Sequence, residues 1–274
     1  MAKARGLLGE RRVGHAGTLD PDATGVLLLG VGSVTRLLRF LTAWPKTYTA
    51  EVVLGVETST LDASGEVTAT HPMTGLTLEE VRAAAARLTG EIDQVPPMVS
   101  AVKVGGQRLH ALARQGVEVE REPRRVTVHR FEVEPTDDPL VVRIEVHCSS
   151  GTYVRSLAAD LGRLLGGGAH LRRLRRTQAG PFTEAEARPL AELELLPPRE
   201  AWRGRPTTAV GPELAARVAH GAVLAAAELG VGPAGEGDGP WGVVDEAGEL
   251  LAVYEHHPRR AGELKPAVVL TGSA

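Results

Sequence analysis

With one cysteine, Cys148, the chain cannot build an internal disulfide framework, and that scarcity suits a reducing compartment. Cys148 lies in an apolar run and reads as a small buried residue rather than a nucleophile. Aromatic side chains are scarce at 3%, three each of Phe, Trp and Tyr, so each invites a question about its role. No apolar run reaches the length needed to cross a bilayer, and the N-terminus lacks a signal-peptide pattern. A soluble, cytoplasmic protein is the expectation. Metal-ligand spacings and nucleotide-binding glycine loops are also missing, which predicts neither a metal nor a cofactor. Net charge is −3, which taken alone argues against a nucleic-acid partner.

The distribution of charge says otherwise. Residues 1–180 carry 23 Lys and Arg against 20 Asp and Glu, whereas residues 181–274 carry 8 against 14. Nearly all the positive charge is Arg, whose planar fork suits phosphate. A GC-rich genome would produce the same bias, and both causes are compatible with this chain.

At 274 residues and 43% hydrophobic, the chain suits one large domain or a large and a small one. Residues 1–11 read as too short to form an independent element. Val26 to Gly32 reads as a short buried strand, and Ser33 to Ala43 as a helix with Val34, Leu37, Leu38 and Leu41 on one side. Lys46 to Leu54 alternates as a half-buried strand, and 57–65 reads as a polar loop. Thr77-Leu78-Glu79-Glu80 is a capping box for a helix to about Leu88. Met98 to Val104 is strand-like and 108–115 has a helical pattern. Strands follow over 126–134 and 140–147, then a helix over 153–165 and a strand ending near Gly180. Residues 189–206 read as a connector. After it come a short helix, a hairpin over 241–254 and a last strand from Lys265, with a Gly-rich, flexible stretch at 232–240 between helix and hairpin.

Chemistry concentrates in Gly14-His15-Ala16-Gly17-Thr18-Leu19-Asp20-Pro21, followed by Ala23-Thr24-Gly25-Val26. The glycines permit a sharp loop that offers a carboxylate at Asp20 and an imidazole at His15. The same letters also suit a helix start, with Asp20 as cap and Pro21 in the first turn. This stretch resembles the catalytic loop of the pseudouridine synthases that modify the T-loop of tRNA, the bacterial uridine-55 type or TruB family. Three further stretches are similar to that family in the same order. They are Lys46-Thr47-Tyr48, the run Val99 to Leu109 after Pro96-Pro97, and Cys148-Ser149-Ser150-Gly151-Thr152-Tyr153-Val154-Arg155 leading on to Gly168 through Thr177. A strand and a Lys-Pro loop that precede the motif in the family have no counterpart in residues 1–11.

The resemblance implies an α/β (α+β) catalytic domain on a mixed sheet over 1–188, a connector over 189–207 and a small β-rich PUA-like domain over 208–274. It implies Asp20 as the catalytic carboxylate, with Arg155 as the ion-pair partner that keeps it charged. Tyr48 would stack on the uracil, and its phenol would help remove the C5 proton. His15 would fill the space left by a flipped base or meet a neighbouring phosphate, and Tyr153 and Leu174 would contact the nucleotide. By pattern alone Tyr48 and Leu174 are core residues and Arg155 a surface helix residue. Arg172, Arg173, Arg175 and Arg176 would grip phosphates, supported by Arg121, Arg124, Arg125 and Arg130. Asp62 is the rival acid and reads as a turn residue. The expected partner is the T-loop and T-stem of tRNA, with no membrane, no protein partner and a monomeric enzyme. A guide-RNA-dependent relative and a non-catalytic RNA-binding or RNA-folding protein are the alternatives.

Overall fold

The computed structural model describes residues 1–100, 103–104, 107–109, 117, 119–231 and 239–270. The chain divides into two units. One consists of Gly17–Leu27 with Ala43–Ala187, the other of Met1–Ala16, Leu28–Thr42 and everything from Arg188 onward. This division differs from a break at 188 alone, because the N-terminal stretches count with the C-terminal unit.

The first unit is built on a mixed seven-stranded sheet. Its order is Phe182–Thr183, Ala169–Ala179, Lys46–Leu54, Val141–Cys148, Arg124–Pro135, Gly90–Gln94, with Thr24–Gly25 pairing in parallel onto Ala169–Ala179. The central strand, Lys46–Leu54, alternates as its sequence predicts. Ala50, Val52 and Leu54 are buried against the core that also holds Val146, Ile144, Leu157 and Leu161. Its opposite face carries Thr47, Thr49 and Glu51, paired with polar neighbours such as His147 and Arg172. Two helices, Leu78–Arg87 and Val154–Leu164, contribute Val81, Ala84, Leu157 and Leu161 to that core. The first starts on the expected capping box: the Glu80 N–H donates to Thr77 Oγ1, and the Thr77 N–H donates to Glu80 Oε2 at 2.8 Å.

Several expectations change. Residues 57 and 58, read as loop, belong to a strand, Val56–Thr58, that pairs with Val67–Thr70, because cross-strand bonds satisfy a backbone whose side chains gave no alternation signal. Lys103–Val104 pairs antiparallel with Gln107–Arg108, while most of the helix expected over 108–115 lies outside the described residues.

In the second unit a five-stranded sheet runs Thr207–Ala209, Trp241–Val244, Leu250–His256, Glu263–Val269, Leu224–Ala225, flanked by the helix Pro212–Ala219. The Gly-rich stretch expected to be flexible falls mostly at 232–238, outside the described residues. Residues 1–11 hold a helix after all, Ala2–Leu8, closed by Gly9 in the left-handed conformation. Of the strand expected at 26–32 only Leu29–Val31 forms, antiparallel to Val13–His15. The next helix opens as a 3-10 turn, Gly32–Leu37, before Leu38–Thr42. The connector is more than a tether. Trp202 within it is buried, stands edge-on to Phe40 at 5.2 Å between ring centroids, and donates its indole N–H to Pro206 O at 2.9 Å.

Candidate active site

Asp20 does not cap a helix. Asp20-Pro21-Asp22-Ala23 is a turn closed by the Ala23 N–H on the Asp20 carbonyl at 3.0 Å, with the Pro21 ring presetting its second position. Beyond it, Thr24–Gly25 joins the sheet edge. Gly25 has φ 97°, and a Cβ there would stand 2.1 Å from Arg176 O, so no other residue lets the loop come this close.

Across the unit, Arg155 sits in the first turn of the Val154–Leu164 helix with only 5% of its side chain exposed. Buried Gln94 sets that helix start, accepting the Tyr153 N–H at 2.7 Å and donating to Tyr153 O at 3.1 Å. Arg155 Nη2 donates to Asp20 Oδ1 at 2.8 Å and to Val99 O at 2.9 Å, while Nη1 donates to Thr60 O at 3.1 Å. Nη1 also lies 3.5 Å from Asp62 Oδ2. The buried guanidinium therefore serves two carboxylates and two carbonyls, which satisfies donors that would be costly to bury unpaired.

The two acids differ. Asp62 Oδ1 accepts from Thr60 Oγ1 at 2.6 Å, Ser64 N at 3.1 Å and Ser64 Oγ at 2.5 Å, as a turn-organising acid does. Asp20, with 34% of its side chain exposed against 22% for Asp62, is the more open of the two. Sequence reasoning took Asp62 for a turn residue and missed its approach to Arg155. A signal existed, since Thr60-Leu61-Asp62 repeats Thr18-Leu19-Asp20.

Tyr48 lies on the core-facing side of the central strand, and both it and Leu174 pack against the main core cluster. Burial pushes the Tyr48 phenol above its usual range, and the neighbouring Arg176 guanidinium pulls against that. Lys46, two residues back, is held down at about 8 by burial and then by Arg176. Cys148 is fully buried and its thiol is pushed up to about 11, as suits a core residue. Tyr153 is the residue before the helix, and His15 ends the short strand Val13–His15 in the other unit. Among the described residues no group of three His, Cys, Asp or Glu side chains converges as metal ligands would.

The arginine cluster splits. Arg172 and Arg173 both hold Glu51, at 2.7 and 3.0 Å. Burial works to raise the Glu51 carboxyl, but the bonds and charge of the two arginines win and hold it below the usual range. Arg175 donates to Glu184 at 2.7 Å and to Thr24 Oγ1 at 3.1 Å and is half exposed. Arg176 departs from the expectation of a phosphate contact: it is 1% exposed and turned inward. Of the supporting arginines, Arg125 faces Glu91 and Asp93, Arg130 pairs with Glu145, and Arg121 donates to Pro96 O at 3.1 Å.

Comparison with known proteins places the chain in a family. Residues 5–154 match the TruB family pseudouridylate synthase N-terminal domain, and residues 155–200 match the tRNA pseudouridylate synthase B C-terminal domain. A tRNA pseudouridine synthase B of Symbiobacterium thermophilum is 51% identical over 81% of this chain and 76% of its own length. One of Arthrobacter sp. strain FB24 is 44% identical over the whole chain and 92% of its own length. In fold, the chain is similar to the crystal structure of a Cbf5-Nop10-Gar1 complex, with a TM-score of 0.72 and 24% identity over 98% of this chain and 80% of that one. By the family match over residues 5–154 and by these relatives, this chain belongs to the TruB family of pseudouridylate synthases.

Proposed function

We propose that the chain converts one uridine of the tRNA T-loop, at position 55, to pseudouridine. It acts on the T-loop and T-stem as a cytoplasmic monomer, without a guide RNA or protein partner. The observation that carries the reading is the open Asp20 carboxylate on the buried Arg155 fork, in a chain of this family. The reaction breaks the N-glycosidic bond, turns the base and rejoins it to the sugar through C5. It needs no redox step and no energy input, only a base taken out of its stack and held in an enclosed site.

Asp20 acts at the sugar–base bond as a carboxylate does in glycosidases. Arg155 orients that carboxylate, and orientation is where much of the rate advantage arises. Tyr48 packs on the uracil, and its phenol, which burial raises above its usual range, helps remove the C5 proton at the end. Tyr153 and Leu174 complete the nucleotide contacts, His15 fills the space of the flipped base or meets a neighbouring phosphate, and Arg172, Arg173 and Arg175 face the phosphates.

The test is conversion of a T-arm RNA by the purified chain alone, read by carbodiimide modification and primer extension. One pseudouridine at the T-loop position is expected. Asp20→Asn should abolish turnover while RNA binding survives, because the amide keeps the shape but is neither nucleophile nor base. Conversion only when a guide RNA is supplied would favour the guide-dependent reading. Binding without conversion under any condition would leave a non-catalytic RNA-binding protein.

A further inference from the structure

We infer that Arg176 is a positioning residue that clamps both flanks of the Asp20 loop and sets the Tyr48 hydroxyl against that loop. The inference rests on the reading of Asp20 and Tyr48 as the reacting pair and goes beyond it by naming what holds the two in register.

The geometry is specific. Arg176 Nε donates to Val26 O at 2.7 Å, and the Val26 N–H donates to Arg176 O at 2.8 Å, so one residue holds another at both its backbone groups. The same guanidinium reaches back to Gly17, with Nη2 donating to Gly17 O at 3.2 Å. Gly17 and Val26 bracket Asp20 in the chain, so the loop is closed at both ends on one side chain. On the strand Arg176 stands opposite Tyr48, whose hydroxyl interacts with its guanidinium. Gly25 leaves the room this needs, since a Cβ there would lie 2.1 Å from Arg176 O, and Gly17 takes φ 90°, a conformation that a side chain disfavours.

A second observation is independent of these distances. Among the described residues no carboxylate forms an ion pair with Arg176, although it is almost wholly buried. A buried guanidinium without an acid is costly and adds little that a buried apolar side chain would not, so its stabilising role alone does not explain it. A point cation such as Lys, with three donors on one atom, could not span Gly17 O, Val26 O and the phenol; the planar fork can.

Two substitutions test this, Arg176→Lys and Arg176→Met, each measured for single-turnover rate, RNA affinity and salt dependence on the T-arm RNA. The Met form should lose about 100-fold in rate, as misplacement of a reacting group by about 1 Å does, with affinity and salt slope unchanged. The Lys form should recover only part of the rate. The rate profile of the Lys form should shift on the alkaline side, because an ammonium that holds Gly17 O or Val26 O cannot also reach the phenol, and Tyr48 would lose a contact that favours its ionised form. The other charged or titratable groups facing that phenol, Asp20 and Cys148, and Lys46 beside Arg176, stay in place. A fall in affinity parallel to the rate, with a salt slope shallower by about 0.9, would make Arg176 a phosphate contact and overturn the inference. If the Met form does not fold, the Lys form decides, and a wild-type rate and profile in it overturns the inference. If the wild-type chain converts no RNA, the proposed function falls. Amide exchange at Ala23 and Val26 then still judges the clamp, faster exchange in the Lys form supporting it and unchanged exchange refuting it.

Discussion

At the scale of single residues, the site turns on how one buried cation is shared. Arg155 meets Asp20, Asp62, Thr60 O and Val99 O, and of the two acids Asp20 is the more exposed. Arg155→Ala is expected to lower the single-turnover rate by about 100-fold or more, through lost orientation, and to leave RNA affinity nearly unchanged. Arg155→Lys should rescue part of that loss, because a point charge reaches Asp20 but not the carbonyls as well. Loss of affinity in proportion to rate would recast Arg155 as an RNA contact. The residue types of this pair were legible in the sequence, since two motifs 135 positions apart each carried one member. Asp62 was legible as a third member only through the repeat of Thr-Leu-Asp, because its turn bonds already account for its place.

At the scale of elements, the strand Ala169–Ala179 decides most of what differs between expectation and structure. Its register against Lys46–Leu54 slips between Arg172 and Arg175 and again between Arg176 and Gln178, and Arg173 takes φ 56° in the first irregularity. Each extra residue re-aims the side chains after it. Arg172 and Arg175 thus share the polar face with Glu51 and Thr49, while Arg176 turns to the Tyr48 side. Helix Leu78–Arg87, by contrast, follows its sequence signal throughout. Thr77→Ala should cost about 1 kcal/mol in urea unfolding, the usual price of a lost cap. The sign of the pH effect follows from the same contacts. Glu80, bonded by the Thr77 backbone, and Glu51, held by its arginines, both have carboxyls below their usual range. Their stabilising contribution is present above the ordinary carboxylate pKa and is lost as pH falls through the lowered values. Unfolding midpoints followed from pH 6 down to about pH 3 should therefore fall less steeply in Glu51→Gln than in the parent chain.

At the scale of the whole molecule, charge is divided along the chain, with the basic excess in residues 1–180 and the acidic excess after it. A net-negative protein can still bind RNA when its exposed arginines lie together, because affinity comes from local counterion release. Arg173 and Arg175 remain 73% and 49% exposed, so the joint variant Arg173→Ala, Arg175→Ala is expected to flatten the salt dependence of RNA binding by about 1.8. An unchanged slope in a filter-binding titration would mean that both side chains serve only Glu51 and Glu184.

What the amino-acid sequence determined by itself was local or motif-borne. The capping box at Thr77, the alternation of Lys46–Leu54, the short C-terminal strands and the loop acid at Asp20 all depend on neighbours in the chain, so their signals survive without a fold. What only the tertiary structure decided depends on partners far away. The inward turn of Arg176 needs the irregularity in strand register between Arg172 and Arg175, which alternation cannot reveal, since a run of four arginines around Leu174 looks the same with or without it. The burial of Trp202 needs Phe40, 162 residues earlier, and the burial of Arg155 needs carbonyls at Thr60 and Val99. Backbone acceptors carry no identity in a sequence, so a cation that pairs with them is read as exposed until the fold brings them together.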